Sequence, residues 1–150
     1  MNKDEIVKLG NEIAARLPFK DSKSVRRRMG VNAHNALSIY ETSKWYKFGY
    51  QLRKQYKSLF PPEVIEKAFT GWFLRIPENG FIDKIATWVN KPAYNMSYYS
   101  IALRDNQLII IDDVPMVFNA GDVCEFCIKK TYEIPRTETE QLWACVLVAN

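Results

Sequence analysis

Histidine occurs once in this 150-residue chain, at His34, and cysteine three times, at Cys124, Cys127 and Cys145. One imidazole cannot supply a two-histidine iron site or a multi-histidine zinc centre. A Ser–His–Asp or Cys–His arrangement would have to recruit His34, which has no carboxylate near it in sequence. An odd number of thiols argues against a secreted disulfide framework and for a reducing compartment. The longest apolar run, Leu142–Ala149, falls far short of the ~20 residues of a membrane-spanning helix. The opening Met1-Asn2-Lys3-Asp4-Glu5 is polar, with no apolar stretch of signal-peptide type behind it. Glycines 10, 30, 49, 71, 80 and 121 are scattered, so no loop of them cradles a phosphate. These absences leave a cytoplasmic protein with no membrane partner and no cofactor as the expectation.

What the chain does have is an ordinary globular composition and an uneven charge. Hydrophobic residues make up 47% and charged residues 25%, which excludes a largely disordered chain. The net charge is +4, but residues 1–75 carry 15 Lys and Arg against 7 Asp and Glu. Residues 76–150 carry 6 against 10. A basic half joined to an acidic half points to a polyanionic partner for the first half, nucleic acid above all.

Periodicity also changes along the chain. Ile6, Leu9, Ile13 and Leu17 recur at helical steps, with Asn2 or Asp4 as cap and Pro18 as stop. Further helices are expected over 22–29, from about 32 towards 59, and from Pro62 through Phe73. After Ile76 the pattern becomes strand-like: 94–103, 108–112, 123–130 and 141–149, with turns at 104–107 and 119–122. The expected fold is therefore α+β, a helical N-terminal half of three to four helices followed by an antiparallel β-meander of four to five strands. It forms one domain over 1–150, with a basic helical part (1–75) and a β-rich part (76–150). Tyr98 and Tyr99 would be exposed on the meander, whose strand edges offer a surface for self-association.

Within 21–40, the stretch from Ser24 to Ile39 resembles a helix-turn-helix. Val25 and Met29 would face inward from its first helix, Gly30 would make the turn, Val31 would plug the corner, and Ala36 and Ile39 would face inward from the second. Arg26 departs from the small residue usual where the two helices touch. The resemblance implies base contacts from Asn32, His34, Asn35 and Ser38 at the start of the second helix. Lys20, Lys23, Arg26, Arg27 and Arg28 would then lie near phosphates. The stretch Lys44–Lys57 interleaves basic and aromatic side chains, and Lys44, Lys47 and Lys54 extend the same candidate interface.

Catalytic groups are thin. Cys124-Glu125-Phe126-Cys127 has the spacing of half a zinc site, but on a strand an odd separation sends the thiols to opposite faces. Asp112, Asp113, Asp122 and Glu125 are the one concentrated group of acids, able in principle to hold Mg²⁺ for phosphodiester cleavage. The leading expectation is a non-enzymatic DNA-binding accessory or regulatory protein, DNA being favoured over RNA. The alternatives are an inhibitor that docks on an acidic protein surface and a small metal-dependent phosphodiesterase.

Overall fold

The computed structural model describes residues 1–22, 39–86 and 95–150. Helix α1 (Lys3–Ala14) starts on a reciprocal cap. The Asn2 side chain accepts from the Glu5 amide at 2.8 Å, and the Glu5 carboxylate accepts from the Asn2 amide at 3.4 Å. Its apolar stripe turns Ile13 and Ala14 inward. A 3-10 turn, Trp45–Lys47, precedes α2 (Tyr50–Ser58). The short α3 (Pro62–Glu66) opens on a proline, whose missing N–H has no partner to lose in a first turn. Among the described residues no helix is long and apolar enough to cross a membrane.

The strands are β1 (Lys20–Asp21), β2 (Tyr40–Glu41), β3 (Ala68–Ile76), β4 (Ile82–Ala86) and β5 (Met96–Ala102). They continue with β6 (Gln107–Ile111), β7 (Val114–Phe118), β8 (Val123–Cys127), β9 (Thr131–Ile134) and β10 (Gln141–Ala149). Two antiparallel sheets result, ordered β1-β2-β3-β10-β5-β8 and β4-β9-β6-β7. From β3 onward the chain switches between the sheets so that late strands lie beside early ones, which is jelly-roll topology.

Three layers follow from the alternation of β10. Trp143, Cys145 and Leu147 face the second sheet and join the inter-sheet core. Leu142, Ala144, Val146 and Val148 face the other way, into a second core built with Ile13, Tyr56, Leu59 and Phe60. Both faces of β10 are covered, so its sequence is continuously apolar rather than alternating.

The expected α+β fold with a helical N-terminal half and a meander is therefore incorrect. β3 spans 68–76, where a helix was expected to run to Phe73. Pro62 starts a helix there, but the β-branched and aromatic run from Phe69 to Ile76 outweighs it by pairing with β10. Tyr40–Glu41 is a strand against β3 rather than part of a long helix. The strands after Ile76 do not meander in order: β5 and β8 belong to one sheet, and β6, β7 and β9 to the other. Part of the charge asymmetry is internal, since Lys3 pairs with Asp122 at 2.8 Å and Arg75 with Glu140 at 3.7 Å, each joining the basic half to the acidic one.

Tyr56 locks the helical layer onto the first sheet. Its fully buried hydroxyl reaches the carbonyl of Trp72, at 2.8 Å, and that of Cys145. Trp72 and Cys145 are register partners on β3 and β10. Gly71 makes room for the ring, because a Cβ there would lie 2.6 Å from Tyr56 Cε1 and 2.9 Å from the Cys145 carbonyl oxygen. Gly71→Ala should cost about 1–3 kcal/mol by overpacking, and Tyr56→Phe about 1 kcal/mol by loss of its hydrogen bonding. Urea denaturation measures both, and an unchanged midpoint in both variants would contradict the lock.

Candidate functional site

Facing strands place one row of side chains across the first sheet. Cys145 on β10 is the register partner of Trp72 on β3 and of Ser100 on β5, and Ser100 is that of Cys124 on β8. Residues two positions along on the same strands share that face, so Leu74, Trp143, Tyr98 and Phe126 flank the row. Ile109, Tyr132 and Ile134 approach from the second sheet. Together these residues enclose a cavity of about 60 Å³ between the sheets, with half-buried Glu41, Leu74 and Tyr98 at its rim.

Aromatic rings dominate the lining. Trp72 meets Tyr98 edge to face at 6.1 Å between centroids, Tyr98 meets Phe126 at 5.3 Å, and Phe126 meets Tyr132 at 5.6 Å. Trp143 closes another side, and its indole N–H donates to Gln141 Oε1 at 3.0 Å, which fixes the ring. The Lys44 ammonium lies 3.6 Å from the centroid of Trp72. Lys44 also bears on the charge of Cys145, as does Glu41 with the opposite sign.

The polar groups in the wall are few. Burial pushes the Cys145 thiol up to about 12, with Glu41 adding to the rise and Ser100 and Lys44 opposing it. Burial, and secondarily the neighbouring Cys145, also pushes Cys124 up to about 12. Both are neutral thiols near pH 7, poor as nucleophiles and poor as metal ligands. They stand two strands apart, ~9–10 Å between Cα atoms by strand spacing, beyond the reach of a disulfide. All three cysteines are unpaired.

The residues singled out from the sequence are dispersed. Lys20 lies on exposed β1 and Lys47 in the 3-10 turn, both beside a surface depression that Asp21 and Glu41 also line. Lys54 belongs instead to a groove between the helices, with Ile6 and Pro61. Lys44 is taken up by Trp72. Lys23, Arg26, Arg27, Arg28, Asn32, His34, Asn35 and Ser38, and with them the helix-turn-helix-like segment apart from its ends, lie outside the described residues. Tyr98 and Tyr99 are half-buried rather than exposed. Tyr98 packs on the cavity and Tyr99 against Phe60.

The acids form no metal cluster. Asp112 and Asp113 are the two left-handed residues of the tight turn joining β6 and β7, and Asp113 pairs with Lys84 at 2.5 Å. Asp122 is held by Lys3, which lowers its carboxyl below the usual range, and caps the Asn119 turn. Among the described residues no three potential metal ligands converge. Sequence reasoning missed Trp72, Tyr98, Phe126, Tyr132 and Trp143 as a group, because they come from five separate strands.

No protein-family model and no curated protein matches the sequence. Solved structures match in fold. A prolyl-4-hydroxylase of Pseudomonas putida aligns with 100% of this chain and 89% of its own, at 11% identity and a TM-score of 0.66. The non-heme alpha-ketoglutarate-dependent carbocyclase SnoK from nogalamycin biosynthesis aligns over 99% and 76%, at 10% identity and 0.66. A predicted oxalate decarboxylase of Thermotoga maritima aligns over 91% and 96%, at 12% identity and 0.54. At such identities the likeness establishes the jelly-roll fold.

That fold corrects the expectation of a non-enzymatic, DNA-binding regulatory protein with a helical binding half. The shared architecture is that of proteins described as enzymes, and this chain's cavity lies between its sheets rather than on a basic helical face.

A non-haem iron centre of the two-histidine-one-carboxylate kind does not fit the residues of this chain. The sequence holds one histidine, and the cavity is lined by one carboxylate, two protonated thiols and the hydroxyl-bearing Tyr98, Ser100 and Tyr132.

Two measurements check the site. Iodoacetamide at pH 8 should alkylate half-buried Cys127, whose strand position faces away from the cavity, at least about tenfold faster than Cys124 and Cys145. Equal rates by mass spectrometry would contradict the burial. The two cavity thiols have their ordinary value of 9.0 in the unfolded chain and about 12 when folded. Their contribution to stability is complete below pH 9 and is lost as pH rises towards 12. Replacing both by Ser or Ala should flatten that alkaline loss.

Proposed function

We propose that this protein binds a small, largely apolar ligand group in the cavity between its sheets. The observation that supports the reading is the continuous arc of rings, Trp72–Tyr98–Phe126–Tyr132, drawn from both sheets around a space that reaches the surface at Glu41. Ligand sites are typically concave, mainly apolar, and provided with a few placed polar groups. Ser100 and Glu41 fill that last role here. The unpaired thiols suit a reducing compartment such as the cytoplasm.

Volume limits what enters. An apolar cavity of roughly 150 Å³ takes benzene, so about 60 Å³ admits a group of only a few non-hydrogen atoms, with the rest of the ligand outside the rim. Titration with small probes of about four to seven non-hydrogen atoms, neutral and charged, tests this by NMR. At least one probe should give saturable shifts confined to the amides of 72–74, 98–100 and 143–145. Ser100→Phe and, at the rim, Leu74→Trp should abolish those shifts while near-ultraviolet circular dichroism shows the fold retained. Absence of saturable shifts for every probe, or shifts spread over the surface, would overturn the reading.

A further inference from the structure

We infer that the ligand is a small zwitterion, a free α-amino acid with a short apolar side chain that enters the inter-sheet cavity while its two charged groups stay at the mouth. This deepens the reading that the cavity binds a ligand and rests on it.

The cavity is the inner half of a two-part site. Glu41 lines it and also lines a second space, a surface depression of about 440 Å³ bordered by Lys20, Asp21, Ser22 and Lys47. The strand register explains the junction. Lys20 on β1 is the partner of Glu41 on β2, and Glu41 is that of Leu74 on β3. These three side chains therefore follow one another across one face of the first sheet, from its edge to the cavity wall. A ligand entering there meets rings and thiols within and charged groups outside.

The charges at this mouth are of both signs. Glu41 is half-buried between the two spaces, and among the described residues no ion pair engages it, Lys20 or Lys47. The Lys44 ammonium is held 3.6 Å from the centroid of Trp72, a residue of the cavity wall. Glu41 and Lys44 both bear on the Cys145 thiol, with opposite effect, so both charges stand close to the cavity. Glu41 repels a simple anion and Lys44 a simple cation. A ligand that carries both charges on neighbouring atoms is complementary to the pair.

An α-amino acid meets each requirement. Its ammonium brings three N–H donors that need acceptors, and the Glu41 carboxylate supplies a charged one. Its carboxylate accepts from the Lys44 ammonium, with Lys20 and Lys47 adding positive potential in the depression. Both charged groups remain at a mouth open to water, so neither bears the full cost of burial. Volume sets the side chain. A cavity of roughly 150 Å³ takes the six carbons of benzene, so about 60 Å³ takes about two or three carbons.

L-2-Aminobutyrate, whose side chain is an ethyl group, and two analogues of its own size provide the test. 2-Aminobutanamide keeps the ammonium and lacks the carboxylate charge, whereas 2-hydroxybutyrate keeps the carboxylate and lacks the ammonium. Titrations of the full chain by NMR and calorimetry near pH 7 should show the amino acid binding about three- to tenfold more tightly than either analogue. Glu41→Gln should weaken the amino acid and the amide by a similar factor without weakening 2-hydroxybutyrate. Lys44→Gln should weaken the amino acid and 2-hydroxybutyrate without weakening the amide. L-Alanine, one methylene shorter, should bind about fourfold more weakly, and L-phenylalanine should fail to compete. Near-ultraviolet circular dichroism checks that both variants keep the fold, and the ligand series on the parent protein stands without them. An analogue that matches the amino acid, a folded variant that binds it like the parent, or phenylalanine competing as well as aminobutyrate overturns the inference. So does saturation by some other small probe while the amino acid fails, and in each of these cases the cavity stays a binding site for another group. Failure of every small probe to saturate removes the ligand-binding reading itself.

Discussion

The Tyr56 hydroxyl, set against two strand carbonyls, is the constraint on which the geometry of both cores turns. Trp72 and Cys145 present their backbone oxygens to the helical layer and their side chains to the cavity. Any shift of α2 relative to the first sheet is therefore felt at the cavity wall. Gly71 is part of the same device, because only a residue without Cβ lets the phenol ring lie that close to β3. Burial holds the Tyr56 pKa well above its ordinary value, so the hydroxyl remains a donor throughout the physiological range. A helix and a sheet are joined here by a directional contact embedded in Trp45, Phe48, Phe60 and Phe73 rings, each within 6.2 Å of Tyr56 between centroids.

The space between the sheets has a different character. Its aromatic arc, protonated thiols and single rim carboxylate make a low-polarity chamber with one charged edge. The jelly roll supplies the concavity, and the residues chosen for its inner faces decide what it can do. In this chain those residues favour soft, apolar contact over hydrogen-bonded or metal-bound recognition. The buried glutamines fit this division of labour. Gln107 Oε1 accepts from the Leu142 amide at 2.6 Å, and Gln141 donates to the Leu108 carbonyl at 3.2 Å, tying the sheets together beside the chamber without placing polarity inside it.

Local features were readable from the residues, and their assembly was not. Asn2 with Glu5 announces the start of α1, and the run Leu142–Ala149 announces a strand, because cap chemistry and buried β-branched runs are local signals. β3 was obscured by Pro62, which begins a helix that ends after five residues instead of extending through Phe73. Lys44, Lys47 and Lys54 were each candidates for a nucleic-acid contact, yet Lys44 lies on Trp72, a partner 28 positions away that no helical spacing could indicate. The acid pair Asp112-Asp113 looked like chemistry and is turn geometry, both residues taking positive φ. The cavity was invisible for the same reason as the fold: its rings meet only once strands far apart in sequence have paired.

β10 lies between β3 and β5, although it follows them both in the chain by dozens of residues. During synthesis, β3 and β5 leave the ribosome with a strand-wide gap between them, and their apolar faces stay open to water until residues 141–149 emerge. The whole sheet is thus completed by insertion of one late segment, an event of high sequence separation and correspondingly slow closure. Until that insertion the nascent chain is a natural client for chaperones, and a ribosome stalled before Gln141 would leave a product fit for degradation rather than a partly working protein.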